Sequence, residues 1–288
     1  MPGGDAGRRS PRPPQRAGLR RHGGGHVTVV RSPFLRPRPV DRPAVRLIGF
    51  HHAGGSAAVY YPFVRHLPAD WDLLLLDLPG RGRRAAAPQL DDIAEVVETV
   101  VADVLPWADD DAPFALFGHS MGAVVALETA RALEALGRYP VWTGASGRVA
   151  PLHPGVGAVP LHALDDTALL DVMLNLGGMP ERVTEASDFL DRFLRTVRAD
   201  LKAVDNYRPA PGRSPLSSPL TVFGGTQDAW APASAMHLWR RETGARFAQR
   251  FFPGGHFYFL DSGFPALADQ VVGQIEACLD LADDVQVA

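Results

Sequence analysis

At 288 residues and 46% hydrophobic content the chain can bury the core of one large α/β domain, and it has no apolar run long enough to span a membrane. The formal charge is −3, yet residues 1–43 carry ten Arg against Asp5 and Asp41, which leaves an acidic body and argues against a nucleic-acid partner. Cys278, the only cysteine, excludes an internal disulfide, so a soluble, cytoplasmic protein with one buried structural thiol is expected.

Residues 1–43 are rich in Pro, Gly and Arg without apolar periodicity and are expected to be disordered, as a loose tail or a docking arm. Arg8-Arg9 and Arg20-Arg21 are followed by no hydrophobic segment, so neither pair reads as an export signal. The ordered domain, residues 44–288, begins with a strand at Val45 to Phe50 that leads into His51-His52-Ala53-Gly54-Gly55-Ser56. A Gly-Gly turn after a strand lets backbone approach a ligand closely, which makes the Ala53 N–H a candidate oxyanion donor. Adjacent His side chains on an extended segment point apart, and no acid or Cys lies nearby, so no metal site is read here.

Leu73 to Leu78 is a continuous apolar run, the pattern of a strand buried on both faces of a mostly parallel sheet. Pro79 to Arg84 lacks the Gly-Lys-Ser/Thr ending of a phosphate loop and reads as a solvated turn. Asp92 to Trp107 has helical spacing at Ile93, Val96, Val100 and Val104, with Pro106 as the expected end. Then comes Phe114 to Ala130. A short apolar strand runs into Gly118-His119-Ser120-Met121-Gly122, and an Ala/Leu/Val-rich helix follows. Strand, Gly-x-Ser-x-Gly and helix together form a nucleophile elbow, in which both glycines are needed because any side chain there would strike the neighbouring elements. Such a turn lifts the Ser120 hydroxyl clear of the sheet, and the helix start offers the Met121 N–H to a developing oxyanion.

Pro140 to Ala145 reads as the next strand and Gly147 to Gly157 as its loop. From Leu161 to about Tyr207 the alternation stops and two or three helices follow one another, broken at Gly177-Gly178-Met179-Pro180. Asp165-Asp166 starts the first of them, and Phe189, Phe193, Val197 and Leu201 form an apolar stripe on another. An all-helical insertion cannot join the sheet, so residues 161–207 are expected to lie over its carboxyl edge as a lid. Leu220 to Gly225 and Phe247 to Phe252 are the last strands, ending in loops that carry Asp228 and His256, and Phe264 to Leu281 is an amphipathic closing helix.

Ser120, Asp228 and His256 therefore follow in the order Ser, acid, His, each just past the carboxyl end of its own strand. Acyl transfer needs all three: a hydroxyl to attack, an imidazole to move its proton, and a carboxylate to orient the imidazole. Asp165 and Asp166 compete weakly for the acid role, because they open a helix instead of ending a strand.

On these residues the chain resembles the type II thioesterases that accompany polyketide synthases and nonribosomal peptide synthetases. The resemblance runs from Val45 to the last helix and rests on His52-Ala53-Gly54-Gly55-Ser56, Leu78-Pro79-Gly80-Arg81-Gly82-Arg83-Arg84, Gly118 to Ala123, Phe223-Gly224-Gly225 through Asp228, and Arg250 to Phe257. The Leu-Pro-Gly-Arg and Phe-Pro-Gly-Gly-His-Phe segments are the most specific. His51 departs from the family's usual proline, and the Arg-rich extension has no counterpart. The resemblance implies an α/β-hydrolase fold with a helical lid and catalysis by Ser120, Asp228 and His256. It also implies removal of acyl groups from the phosphopantetheine arm of an acyl or peptidyl carrier protein, with no cofactor beyond that arm and no metal. A monomer with no nucleic-acid or membrane partner is expected. Arg81, Arg83 and Arg84 are candidates for a basic patch facing the carrier. A general carboxylesterase or lipase, or a non-catalytic interaction module on the same fold, remains the alternative.

Overall fold

The computed structural model describes residues 32–153, 160–177 and 187–287. The paired arginines of the extension and the Gly178-Met179-Pro180 break lie outside the described residues. Seven strands form one sheet in the order β1-β3-β2-β4-β5-β6-β7: β1 Phe34–Leu35, β2 Val45–Phe50, β3 Trp71–Leu76, β4 Phe114–His119, β5 Trp142–Ser146, β6 Leu220–Gly225 and β7 Phe247–Phe252. All neighbours pair in parallel except β1, which runs antiparallel to β3. This is the α/β-hydrolase arrangement that the residues suggested.

Side-chain alternation divides the core in two. Ile48, Leu74, Leu76 and Leu116 face α1 (Ile93–Ala108) and α2 (Met121–Ala135). Leu47, Leu73, Leu75 and Phe117 face the opposite layer, made by the 3-10 segment Ala57–Arg65 and α5 (Phe264–Val287). Covered on both faces, strands such as Leu73-Leu74-Leu75-Leu76 must be apolar throughout. The Asp92 carboxylate caps α1 by accepting the Ala94 N–H at 2.7 Å. Pro106 lies inside the last turn of α1 and does not end it, so the helix runs on to Ala108.

Among the described residues, two α-helices occupy the stretch between β5 and β6: α3 (Asp166–Leu176) and α4 (Ser187–Asn206). Asp165 is the N-cap of α3, accepting the Ala168 N–H at 2.9 Å, so this acid serves the helix. Leu169, Met173, Leu194, Val197 and Leu201 join the two helices in a small core of their own.

Two expectations need correction. A structureless extension reaching residue 43 is not what the chain forms, because β1 and the residues after it belong to the domain. Phe34 is buried in the main core, Arg36 forms an ion pair at 2.6 Å with the fully buried Asp72, and Arg38 donates to the carbonyls of Val64, Leu67 and Pro68. Arg36 and Arg38, two of the arginines that suggested disorder by composition, are bound to carboxylate and carbonyl groups of the domain. The second correction concerns Pro79 to Arg84: Gly82 and Arg83 are exposed, as expected, but Pro79 and Arg81 are buried and the turn is tied down, the buried Asp77 carboxylate accepting the N–H groups of Ala57 at 2.8 Å and Arg83 at 2.9 Å.

Deleting residues 1–40 should therefore lower the melting temperature by about 5–10 °C relative to a chain that starts at residue 32, since losing Phe34 burial alone is worth about 1.5–3 kcal/mol and Asp72 loses its partner. Differential scanning calorimetry of the two truncations checks this.

Candidate active site

Between β2 and β4 the chain order reverses: β3 lies on one side of β2 and β4 on the other. The loops leaving β2 and β4 therefore separate at the carboxyl edge and open a crevice, the usual ligand position in such sheets. Ser120 follows β4 there with φ 57° and ψ −113°, the only non-glycine residue with positive φ among the described residues. A side chain at Gly118 would strike the Gly122 backbone, and one at Gly122 would strike the Phe50 carbonyl. Helix α2 can therefore start directly against β2 and β4, and the serine between the glycines absorbs the turn, at a cost of about 1–3 kcal/mol. The Ser120 N–H still reaches the Ser146 carbonyl at 2.7 Å, which holds the strained residue to β5.

The loops after β6 and β7 meet in the same way. Gly225 leaves no room for a side chain against the Gly254 and Gly255 carbonyls, and the Thr226 and Gln227 N–H groups bond the Phe252 and Gly254 carbonyls. This contact brings Asp228 and His256 together, with Asp228 Oδ2 and His256 Nδ1 at 2.8 Å. The other carboxylate oxygen accepts the Trp230 N–H at 2.8 Å and the Ala231 N–H at 3.1 Å. Burial alone would raise the Asp228 carboxyl, but the hydrogen bond and charge of His256 and these two N–H groups outweigh it, and the group titrates below its ordinary range. A carboxylate only accepts, so His256 Nδ1 carries the hydrogen and Nε2 keeps its lone pair.

Ser120 and His256 both line a cavity of about 470 Å³. Its remaining walls are mostly apolar: Val59 and Phe257 from the body, Trp230 from the acid loop, and Met173, Leu176, Phe193 and Leu201 from α3 and α4. The helical insertion thus stands over the site as a lid. Ala53 lines the same cavity. The next two N–H groups of its loop are engaged, Gly54 by Asp200 at 2.7 Å and Gly55 by the His52 carbonyl at 3.0 Å. Met121 opens α2, where the first N–H groups have no carbonyl of their own helix to bond.

Sequence reasoning missed the role of His119 and named His51 and His52 without finding their partners. His119, inside the elbow, is fully buried, with Nδ1 2.8 Å from Ser146 Oγ, which in turn lies 2.7 Å from the Tyr258 hydroxyl. His51, the residue that replaces a proline, bonds the His52 carbonyl through Nδ1 at 2.9 Å, while Nε2 accepts the Leu78 N–H at 3.4 Å. Its ring ties the loop after β2 to the end of β3. His52 packs edge-on against Phe257, with ring centroids 4.7 Å apart. Only the position of these histidines beside Ser120 and Ala53 could have marked them. Of the candidate basic patch, Arg81 is buried in an ion pair with Asp200 and Arg84 pairs with Asp103, while Arg83 is exposed.

The family profile described as "Thioesterase domain" matches residues 45–278. The chain belongs to the thioesterase family. It is 37% identical over 253 residues to thioesterase PikA5 of Streptomyces venezuelae, covering 88% of this chain and 85% of that protein. Among solved structures it is similar to RedJ, a thioesterase from the prodiginine biosynthetic pathway of Streptomyces coelicolor, at 33% identity and a TM-score of 0.74, with 80% and 85% of the two chains covered. BorB, the type II thioesterase of the borrelidin biosynthetic cluster, gives 32% identity and a TM-score of 0.74, with coverage of 85% and 97%. The protein stands with the type II thioesterases of polyketide and nonribosomal peptide pathways, and it is a hydrolase of thioesters. No helix among the described residues is long and apolar enough to cross a membrane.

The thioesterase keeps three imidazoles near or below its site neutral. Burial is the main cause for each; Arg81 adds to it at His51, His256 and then Arg81 at His52, and His256 and then His52 at His119. His52 is pushed down to about 3. Because the unfolded chain binds these protons and the folded chain does not, their stabilising contribution is whole above about pH 6.5 and declines as the pH falls below it. Between about pH 6 and 5 the unfolding free energy should drop as the pH falls, His52 contributing about 1.4 kcal/mol per unit, and His52→Gln should reduce the slope by about one proton. Denaturant titrations at several pH values measure both slopes.

Proposed function

We propose that this thioesterase clears acyl groups held as thioesters on the phosphopantetheine arm of carrier proteins, with the following division of labour. Ser120 Oγ attacks the thioester carbonyl carbon while His256 Nε2 takes the hydroxyl proton. The Ala53 and Met121 N–H groups receive the oxyanion of the tetrahedral intermediate. As the C–S bond breaks, His256 returns the proton to the departing thiolate, so the carrier leaves with a free thiol and the acyl group stays on Ser120. A water then gives its proton to His256 and attacks the ester. Collapse of the second intermediate releases a carboxylic acid and restores the serine. Asp228 holds the imidazole in the required tautomer and stabilises its cation. The cycle calls for no metal or resident cofactor.

One observation carries this reading: His256, paired with Asp228, lines the same cavity as a serine held at φ 57° on a strand-to-helix turn. The apolar lining favours non-polar acyl chains, with the arm entering past Trp230 and Phe189, both large and exposed at the rim. Removing wrongly primed or stalled chains from synthase modules fits that chemistry and the family. A monomer in the cytoplasm, beside the synthases it would serve, is the corresponding setting, and a single buried thiol suits it. Arg83 is the exposed cation left to meet an acidic carrier surface.

Ser120→Ala is expected to lower turnover of an acyl-carrier thioester by on the order of 10^4-fold while carrier binding persists; near-normal hydrolysis in that variant would rule out the nucleophile. A preference for oxygen esters over carrier thioesters at matched chain length would favour the carboxylesterase alternative. Phe193→Ala, which enlarges the apolar wall, should move the best substrate to a longer acyl chain by about a factor of ten in relative kcat/KM, read across a panel of acylated carriers.

A further inference from the structure

The apolar inward face of α4 is interrupted by one acid. Asp200 lies on the side of the helix that carries Phe193, Val197 and Leu201, and it is only 2% exposed. Its two oxygens accept three N–H groups from two other parts of the chain. Oδ2 takes the Gly54 N–H at 2.7 Å and Arg81 Nη1 at 2.5 Å, and Oδ1 takes Arg81 Nη2 at 2.7 Å. The loop after β2, the loop after β3 and the lid helix therefore converge on one carboxylate. Gly54 lies so close beneath the helix that a side chain on it would meet Phe193 and Val197 at 3.1 Å.

A buried ion pair is poor value as a source of stability, because well-packed apolar residues of the same size commonly do as well or better. What an apolar pair could not supply is the acceptor for Gly54. That N–H is the immediate neighbour of the Ala53 N–H, and fixing one peptide plane constrains the orientation of the next. We propose that Asp200 is a positioning residue: seated with α4, its carboxylate holds the Gly54 N–H, and this sets the Ala53 N–H in the direction an oxyanion requires. The inference rests on the assignment of Ala53 as oxyanion donor. Its consequence is that the lid and the oxyanion site are one mechanical unit, so lifting α4 withdraws the acceptor and releases the loop. Arg81 holds the carboxylate in place between the two loops through both of its oxygens, and so acts through Asp200 instead of facing a carrier.

Two double variants separate this role from simple stabilisation, because both remove the ion pair and only one keeps an acceptor at position 200. In R81M/D200N the amide oxygen can still take the Gly54 N–H, and kcat on an acyl-carrier thioester should stay within about fivefold of the native enzyme. In R81M/D200L nothing accepts it, and kcat should fall by about thirtyfold or more, with KM changed by less than about threefold. Affinity for an alkyl boronic acid, which forms a tetrahedral adduct with the serine, should fall in step with kcat. The same order is expected for D200N against D200A at low temperature, which keeps the test decisive if the leucine pair fails to fold. Equal kcat and equal boronate affinity in the asparagine and leucine pairs would overturn the positioning role. Ser120→Ala, assayed alongside, keeps the two questions apart: retained hydrolysis there defeats the nucleophile itself, whereas an inactive Ser120→Ala beside equal double variants defeats only the role of Asp200.

Discussion

The site depends on how closely three backbones approach one another at Gly118 and Gly122. With no side chain at either position, α2 begins against the Phe50 carbonyl and against β4, and the residue between them has no relaxed conformation that closes the turn. Ser120 therefore sits at φ 57°, stabilised by the surrounding sheet and by its N–H bond to Ser146. A strain of about 1–3 kcal/mol persists only because the core on both sides over-determines the backbone. Without that packing the serine would relax into an ordinary helix cap, and its hydroxyl would turn back to the α2 N–H groups.

Around the serine, the protein builds polar order from backbone groups and a few buried charges. Asp77 joins the ends of two loops by accepting two N–H groups, Asp200 joins two loops to the lid by accepting three, and Asp228 accepts two N–H groups while orienting His256. Each is a carboxylate buried with its hydrogen bonds satisfied, the condition under which a charge can be kept away from water. All three sit just past strand ends or above them, where loops would otherwise be free to move.

The imidazoles obey the opposite rule. His51 and His119 are buried and His52 half-buried, none with a carboxylate partner, and beside them lies a fourth, His256, which in the proposed cycle carries positive charge. Keeping the other three neutral means that His256 alone in this cluster has a counter-charge, Asp228, positioned to stabilise its cation. Phe257 packs edge-on against His52 and His256, while the His119 and His256 rings lie directly beside each other with centroids 4.8 Å apart.

The sequence by itself determined the strands, the elbow, the lid's helical character and the order of Ser120, Asp228 and His256. These follow from local rules: apolar runs for doubly covered strands, glycine where backbones touch, and turn residues after strands. It misjudged the stretch around Phe34, because two residues of antiparallel edge strand carry no periodicity and a run rich in Arg and Pro looks disordered until Asp72 and the carbonyls near Val64 are beside it. It also took Arg81 for a surface cation. Only the tertiary structure decided that Arg81 points inward to Asp200, 119 positions away, that the Asp200 carboxylate reaches Gly54, and that His119 and Tyr258 share Ser146. The physical reason is the same in each case: a polar side chain's role is set by the partner that satisfies it, and in a sheet whose strands are ordered out of sequence that partner comes from a distant part of the chain.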